Sequence, residues 1–302
     1  MTRQREAAGP VAEGTLLWEP SQELKDQSNL SRYLDWLAGK RGLSFGSYDE
    51  LWRWSVSDID GFWASVWDYF QVQAHRPYEH VLLPSSAGNR LQGARWFSGA
   101  RLNYAEHCLR RRDRHPAIIF RHESGERSTL TYADLWERVG EVAAGLRRLG
   151  VGPGDSVVAF MPNIPETVIA ALATASVGAV WSSCPPEFGT RSVIDRFHQL
   201  APKVLLAVDG YTYNGKAFQS LAAVAEIEAG LPTLERTFVL PYKGTGRSRR
   251  QGKSALGPLR KGAPWSALLV RGQELTFEAV PFDHSLWVLY SSGTTGVPKA
   301  IV

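Results

Sequence analysis

Short apolar runs alternate with stretches of helical periodicity between residues 117 and 240, and no other feature of the chain constrains the fold as strongly. Four of these runs are predicted to form strands. Three of the strands cover residues 156–160, 204–208 and 237–240, and the fourth begins with residues 179–181. The segments between them are predicted to be helices, over residues 166–178, 191–200 and 218–228. Strands joined through helices form parallel β-α-β units with right-handed crossovers. The chain is therefore predicted to be an α/β protein with a parallel sheet flanked by helices.

A hairpin and a capped helix are predicted to precede this unit. Residues 117–121 and 128–131 have strand character, and Ser124-Gly125 is suited to the turn between them. Thr131 stands three residues before Asp134, the spacing of a capping box that begins a helix. The apolar residues that follow recur on one helical face: Leu135, Val139, Val142, Leu146 and Leu149. Gly150 is placed to end that helix.

The first quarter of the chain is helical in pattern and rich in aromatic residues over residues 29–76. Ser57 stands three residues before Asp60, which predicts a second capping box. Six of the eleven tryptophans precede residue 70: Trp18, Trp36, Trp52, Trp54, Trp63 and Trp67. The pattern favours a small helical layer over a ring-stacking ligand site. Residues 77–103 scatter Pro, Gly, Ser and Asn among aromatics and are predicted to be an irregular connector.

Composition excludes several classes of protein. With 44% hydrophobic and 21% charged residues, the chain is neither disordered, nor a collagen, nor a coiled coil. The longest mostly apolar run, residues 168–181, is shorter than the ~20 residues of a membrane span. The first residues have no apolar core behind them, so no signal peptide is expected. Cys108 and Cys184 are too few for a disulfide framework or a zinc site. A cytoplasmic protein without a membrane partner is expected.

The formal net charge of +4 comes from one segment. Residues 241–265 contain no acid and seven bases, namely Lys243, Arg247, Arg249, Arg250, Lys253, Arg260 and Lys261. Nucleic-acid binding would require aromatic residues among these bases, and none stands between Tyr242 and Trp265. The segment is therefore interpreted as a solvated loop, with no nucleic-acid partner.

The sharpest chemical signal follows the strand-like run 286–290. It is a string of hydroxyl, glycine and lysine residues: Ser291, Ser292, Gly293, Thr294, Thr295, Gly296, Val297, Pro298 and Lys299. Glycines let a backbone turn tightly and point N–H groups at an anion, and hydroxyls and a lysine can bind phosphate oxygens. It is not the nucleotide loop in which two glycines flank four residues and a lysine follows the second glycine, because Gly293 and Gly296 are too close together and no glycine directly precedes Lys299. The string predicts a polyphosphate cradle, and the alternative is a plain turn.

This string resembles the phosphate-loop signature of the adenylate-forming superfamily, which includes the acyl-CoA synthetases. Residues 96–106 resemble the opening motif of the short-chain acyl-CoA synthetases, and the tryptophan-rich region resembles their helical cap. Three more strings are similar to the acetoacetate–CoA ligases rather than to the acetate or propionate enzymes: residues 179–189, 195–203 and 208–216. Ser98 in place of Pro, and Pro186-Glu187 in place of Pro-Asp, depart from the family pattern.

The resemblance implies a fold, a reaction and a set of sites. Residues 1–28 would be a leader, 29–103 the cap and connector, and 104–302 the N-terminal part of an AMP-binding domain. The reaction would convert acetoacetate, ATP and CoA into acetoacetyl-CoA, AMP and pyrophosphate through an acyl-adenylate. Residues 291–296 and Lys299 would bind ATP phosphates together with Mg²⁺. Asn214, Gly215 and Lys216 would contact a CoA phosphate, and residues 184–189 would border the CoA tunnel.

Family members continue well beyond the position of Val302. The catalytic lysine, the acidic metal ligand and the adenine and acyl pockets are expected there, so no catalytic or metal residue is assigned here. The chain is expected to be an N-terminal fragment that is inactive alone. Alternatives are a non-catalytic nucleotide- or CoA-binding module, half of a split enzyme, a product that does not fold, and a ligase for another short-chain acid. A thiol nucleophile built on Cys184 and His198, or another nucleotide hydrolase, is less consistent with the residues. Acyl specificity and oligomeric state stay open.

Overall fold

The computed structural model describes residues 11–85, 91, 93–242, 256–291 and 298–302. These residues belong to two compact units, Met1–Val72 and Gln73–Val302. Within the described ranges, no helix combines the length and the apolar character needed to cross a membrane.

The first unit is helical. Its helices are α1 Gln22–Asp26, α2 Asn29–Arg41, α3 Tyr48–Ser57 and α4 Ile59–Tyr69. Aromatic side chains, among them Trp36, Trp54, Phe62 and Tyr69, pack around the buried residues of this unit. The predicted cap at Ser57 is wrong, because Ser57 ends α3 and the Asp58 carboxylate accepts the hydrogen bond from the Gly61 N–H.

The second unit begins with short strands and helices that precede the main sheet. They are β1 His80–Leu83, β2 Arg95–Ser98, β3 Arg101–Leu102, α5 Tyr104–Cys108, β4 Pro116–Arg121, β5 Arg127–Thr131 and α6 Tyr132–Arg148. Strands β1 and β2 pair antiparallel, so the prediction of an irregular connector over residues 77–103 is wrong. Strands β4 and β5 form the predicted hairpin. The capping box of Thr131 and Asp134 begins α6, and Gly150 follows its end with φ +69°.

The remaining elements alternate along the chain. They are β6 Ser156–Phe160, α7 Pro165–Ser176, β7 Val180–Cys184, α8 Thr190–Phe197, β8 Val204–Val208, β9 Gly210–Tyr213, β10 Lys216–Gln219, α9 Leu221–Gly230, β11 Arg236–Leu240, β12 Gly262–Pro264, β13 Val280–Pro281, β14 Leu289–Ser291 and β15 Lys299–Ile301. Five of the strands form one sheet in the order β12-β11-β8-β6-β7, and all its neighbours are parallel. The predicted α/β class with a helix-flanked parallel sheet is confirmed.

Helices cover both faces of this sheet because its central strands are buried at every position and apolar at all but Ser156. Every residue of β6 and β8 is buried. Val157 and Ala159 pack with the apolar faces of α6 and α7, whereas Val158 and Phe160 pack with α8 and α9. The alternation follows from the two-residue period of a strand.

The segment after β8 differs from its prediction. Residues 218 and 219 lie in a strand, and α9 begins at Leu221, so the predicted start of the helix at 218 is wrong. Asn214 and Gly215 link β9 to β10 with φ of +50° and +72°. Two successive left-handed residues form the tight hairpin turn that an Asn-Gly pair favours, and this turn overrides the helical pattern.

Candidate functional site

The strands of the main sheet end along one edge, where ligands bind in sheets of this type. Strands β6, β7, β8 and β11 end at Phe160, Cys184, Val208 and Leu240. A cavity of about 720 Å³ opens at this edge, between the β4–β5 hairpin and the start of α7. Polar side chains line part of it, including Arg138, Glu166 and Tyr242. The edge therefore offers a recess as well as loops.

Residues 286–288 run beside β7 as a further parallel segment. The Trp181 N–H donates to the Leu286 carbonyl at 3.0 Å, and the Val288 N–H donates to the Trp181 carbonyl at 2.8 Å. The Ser182 hydroxyl donates to the Val288 carbonyl at 2.8 Å. Because β7 and this segment are parallel, the segment leads the chain toward the same edge at which β7 ends.

The predicted phosphate loop lies between two paired strands. Strands β14 and β15 are antiparallel, and Ser291 is the partner of Lys299 in their register. Two residues of the predicted site are thus placed side by side at the neck of the loop. The others, Ser292, Gly293, Thr294, Thr295 and Gly296, lie outside the described residues, so their part in the site stays a prediction.

Residues at the end of α8 and just beyond it contact the chain on both sides of that loop. The Tyr290 hydroxyl donates to the Arg196 carbonyl at 2.9 Å, and the Gln199 side-chain amide, just beyond the helix, donates to the Pro298 carbonyl at 3.0 Å. Sequence reasoning missed both Arg196 and Gln199 as site residues. Their presence in the family-like string 195–203 was the available signal.

Cys184 is protected rather than activated. Its side chain is buried, and burial raises the pKa of its thiol to about 11 from an ordinary value of 9.0, although the nearby Arg196 acts in the opposite direction. The thiol is therefore protonated near neutral pH, whereas a nucleophilic cysteine needs a lowered pKa. This environment disfavours the alternative of a thiol nucleophile paired with His198.

The predicted CoA-contact residues form an anion-binding turn that already binds a carboxylate. The N–H groups of Asn214 and Gly215 donate to the two carboxylate oxygens of Glu123, at 3.1 and 3.0 Å. Lys216 follows as the exposed first residue of β10. Sequence reasoning missed Glu123, which reaches the turn from a loop 91 positions earlier in the chain.

The metal expected with ATP raises the question of which described side chains could hold it. Across residues 11–85, 91, 93–242, 256–291 and 298–302, no cluster of three or more His, Cys, Asp or Glu side chains could hold a metal ion. The residues described at the site instead offer a hydroxyl at Ser291 and a lysine at position 299.

Comparison with known proteins places these features in a family. The family described as AMP-binding enzyme matches residues 105–302, and the family described as acetyl-coenzyme A synthetase N-terminus matches residues 48–108. The acetoacetyl-coenzyme A synthetase of Rhizobium meliloti (strain 1021) is 42% identical over 95% of this chain and 42% of its own length. The acetoacetyl-CoA synthetase of Gallus gallus is 35% identical over 97% of this chain and 44% of its own.

A solved structure gives the same picture. The acetoacetyl-CoA synthetase from Streptomyces lividans matches with a TM-score of 0.84 and 45% identity, over 94% of this chain and 42% of that one. The chain thus spans about two fifths of the length of the relatives it matches.

Proposed function

We propose, from the premise that this chain belongs to the AMP-binding enzyme family, that it binds the phosphates of ATP. The reaction that this binding would serve is the AMP-forming ligation of an acid to CoA, and the acid would be acetoacetate. The observation that carries the proposal is the β14–β15 hairpin, which pairs Ser291 with Lys299 at the neck of the hydroxyl-rich loop. The acid is taken from the relatives, which are acetoacetyl-CoA synthetases.

The first step would join the acid to the nucleotide. The carboxylate of acetoacetate attacks the α-phosphorus of ATP, the bond to the bridging oxygen of pyrophosphate breaks, and an acyl-adenylate forms. Two anions must approach each other in this step, so positive charge and aligned N–H groups are needed around the phosphates. We assign this task to residues 291–296 and Lys299, which would bind the β- and γ-phosphates.

The second step would use CoA. Its thiol releases a proton to solvent as the sulfur attacks the acyl carbonyl carbon of the adenylate, and AMP leaves with the electron pair of the cleaved C–O bond. We place Asn214, Gly215 and Lys216 near a phosphate of CoA, with Lys216 making the contact because the N–H groups of Asn214 and Gly215 are bound to Glu123. We place residues 184–189 along the path of CoA. Mg²⁺ supplies charge neutralisation on the ATP phosphates when bound.

We further propose that the chain works in the cytoplasm on these small molecules, without a nucleic-acid or membrane partner. Both cysteines are free thiols, which suits a reducing compartment. The loop residues, the CoA contacts and the domain boundaries at residues 28 and 103 are assigned on the family resemblance and remain part of this proposal.

Calorimetric titration of the chain with ATP in the presence of Mg²⁺ tests the phosphate site. We expect ATP to bind, and Lys299→Met to weaken the affinity at least tenfold, because a charge-assisted hydrogen bond contributes about 1.5–3 kcal/mol. Lys40→Met, at an exposed lysine of α2, is the matched control and should bind as the wild type does. Absence of ATP binding, or equal affinities in the two variants, would overturn the assignment.

A second candidate is a chain that binds nucleotide without catalysing the reaction. It would act either as a binding module or as one half of a split enzyme. It is favoured by the coverage of 42% and 44% of the relatives. Release of pyrophosphate with ATP, Mg²⁺ and acetoacetate distinguishes the two. We expect binding without sustained release, and turnover by the chain alone would establish the complete ligase. Faster release with another short-chain acid would replace acetoacetate as the substrate.

A further inference from the structure

We infer that Arg196 and Gln199 are positioning residues that tie the candidate ATP loop to the loop after β7, so that binding at one changes affinity at the other. The inference rests on the proposed function for what the two loops bind. Its structural basis is the set of contacts that one end of α8 makes with described residues.

Gln199 holds the chain where it leaves the candidate ATP loop. Its side-chain nitrogen donates to the Pro298 carbonyl at 3.0 Å and to the Asp195 carbonyl at 2.8 Å. An amide nitrogen has two hydrogens, so both are used, one toward the helix and one toward the hairpin. Pro298 directly precedes Lys299, whose placement therefore depends on this bond.

Tyr290 holds the chain where it enters the same loop. Its hydroxyl donates to the Arg196 carbonyl at 2.9 Å. Burial is the main cause that raises the pKa of this phenol, so the phenol keeps the proton that it donates. Residues 290 and 298 lie on opposite sides of the loop, yet both are bound to residues only three positions apart at the end of α8.

Arg196 also contacts the loop after β7. Its guanidinium carbon lies 5.1 Å from the ring centre of Phe188 and 5.7 Å from that of Tyr290. One guanidinium nitrogen donates to the Ser192 carbonyl at 2.8 Å, which fixes the side chain against its own helix. Cation–π contacts of this kind are attractive within about 6 Å.

These contacts provide a physical route for coupling. A ligand that moves Phe188 alters the stacking on Arg196, and Arg196 is joined to Tyr290 by both its ring contact and its carbonyl. Energetic coupling between two binding sites is reciprocal, so ATP must then change CoA affinity by the factor by which CoA changes ATP affinity.

The contacts of Gln199 with Pro298 and of Arg196 with Tyr290 are called the brace here. Hydrogen exchange tests the brace without any ligand. Replacing the exposed Gln199 by Leu should speed amide exchange at residues 299–301 relative to the wild type, with the melting temperature of the chain kept. Arg191→Leu, at an exposed arginine in the first turn of α8, is the matched control and should exchange as the wild type does. Equal exchange in Gln199→Leu and in the control would overturn the brace.

Titration with both ligands tests the coupling. CoA affinity is measured with and without a saturating non-hydrolysable ATP analogue, and we expect the two values to differ by about fivefold, at the low end of known couplings. Arg196→Lys, which keeps the charge and loses the flat stacking face, should bring the ratio close to one. A ratio that is one in the wild type, or unchanged in Arg196→Lys, would refute the coupling. A wild-type chain that binds no ATP would instead remove the proposed function, while the exchange result would still judge the brace.

Discussion

The side-chain nitrogen of Asn103 lies 2.9 Å from the carbonyl oxygen of Glu278, 175 positions further along the chain. The same nitrogen donates to the Ala175 carbonyl at 2.9 Å, and the side-chain oxygen accepts from the Ala105 N–H at the start of α5. A buried side chain within the family-like string 96–106 thus joins three separate segments of the larger unit.

We predict that Asn103→Ala destabilises the chain by about 2–4 kcal/mol, because the carbonyls of Ala175 and Glu278 lose their donor and α5 loses its cap. Asn103→Asp keeps the cap but not the donor, so its loss of stability should be of similar size. Chemical denaturation measures both, with the exposed Asn163→Ala as the near-neutral control. A change below about 1 kcal/mol in Asn103→Ala would show that water replaces these bonds.

Gly145 of α6 has no room for a side chain. A Cβ at this position would lie 1.7 Å from the Leu268 carbonyl oxygen, a backbone atom that cannot step aside alone. Gly140 of the same helix would place its Cβ 3.5 Å from Leu275, an ordinary contact. We predict that Gly145→Ala lowers the free energy of unfolding by about 3 kcal/mol or more, or prevents folding. Gly140→Ala should be neutral or stabilising by about 0.5 kcal/mol, and comparable losses in both variants would contradict the packing described for α6.

The two thiols should react at different rates. Burial raises the pKa of the Cys184 thiol to about 11, and Cys108 is less buried. Titration with a thiol reagent at pH 8 should modify Cys108 first, and Cys184→Ala should retain that faster phase. The stability that Cys184 contributes by staying protonated is present below its ordinary pKa of 9.0 and is lost as pH rises through about 11. A fast phase that disappears in Cys184→Ala would show that this side chain is accessible.

The assignment of Lys216 to the CoA site predicts that this residue contacts the phosphates of CoA and not its pantetheine arm. Lys216→Gln should weaken CoA binding by about fivefold through loss of one exposed charge pair, which contributes up to about 1 kcal/mol. Pantetheine lacks the nucleotide phosphates, so its affinity should not change in the same variant. Isothermal calorimetry of both ligands separates these outcomes, and an equal loss for pantetheine would place Lys216 away from the phosphates.

Sequence patterns predict those elements that are stabilised by contacts within a few residues or that are buried along their whole length. Residues 156–160 and 204–208 were predicted to the residue, because every position of β6 and β8 is buried. The Thr131–Asp134 box was predicted because both partners lie within one turn. The sequence spacing predicts the cap of α4 one residue too early, at Ser57, because either of two adjacent polar residues could serve and the backbone selects Asp58.

The rest could not be predicted because its partners are distant along the chain. Gln199 and Pro298 are 99 positions apart, and Glu123 and Asn214 are 91 apart. No periodicity or spacing reveals such pairs, which arise when the parallel sheet gathers the ends of its strands at one edge. Sequence patterns propose where the chemistry lies along the chain, whereas the contacts between distant residues become visible only in the fold.

The pairing of Trp181 with residues 286–288 has a consequence for how the protein behaves in concentrated solution. A chain cut before residue 286 would leave the outer side of β7 with unsatisfied N–H and C=O groups, a template onto which another molecule could add its own strand. We expect such a truncated chain to aggregate. Residues 286–288, which lead the chain to the candidate loop, therefore also protect the edge of the sheet from pairing with another molecule.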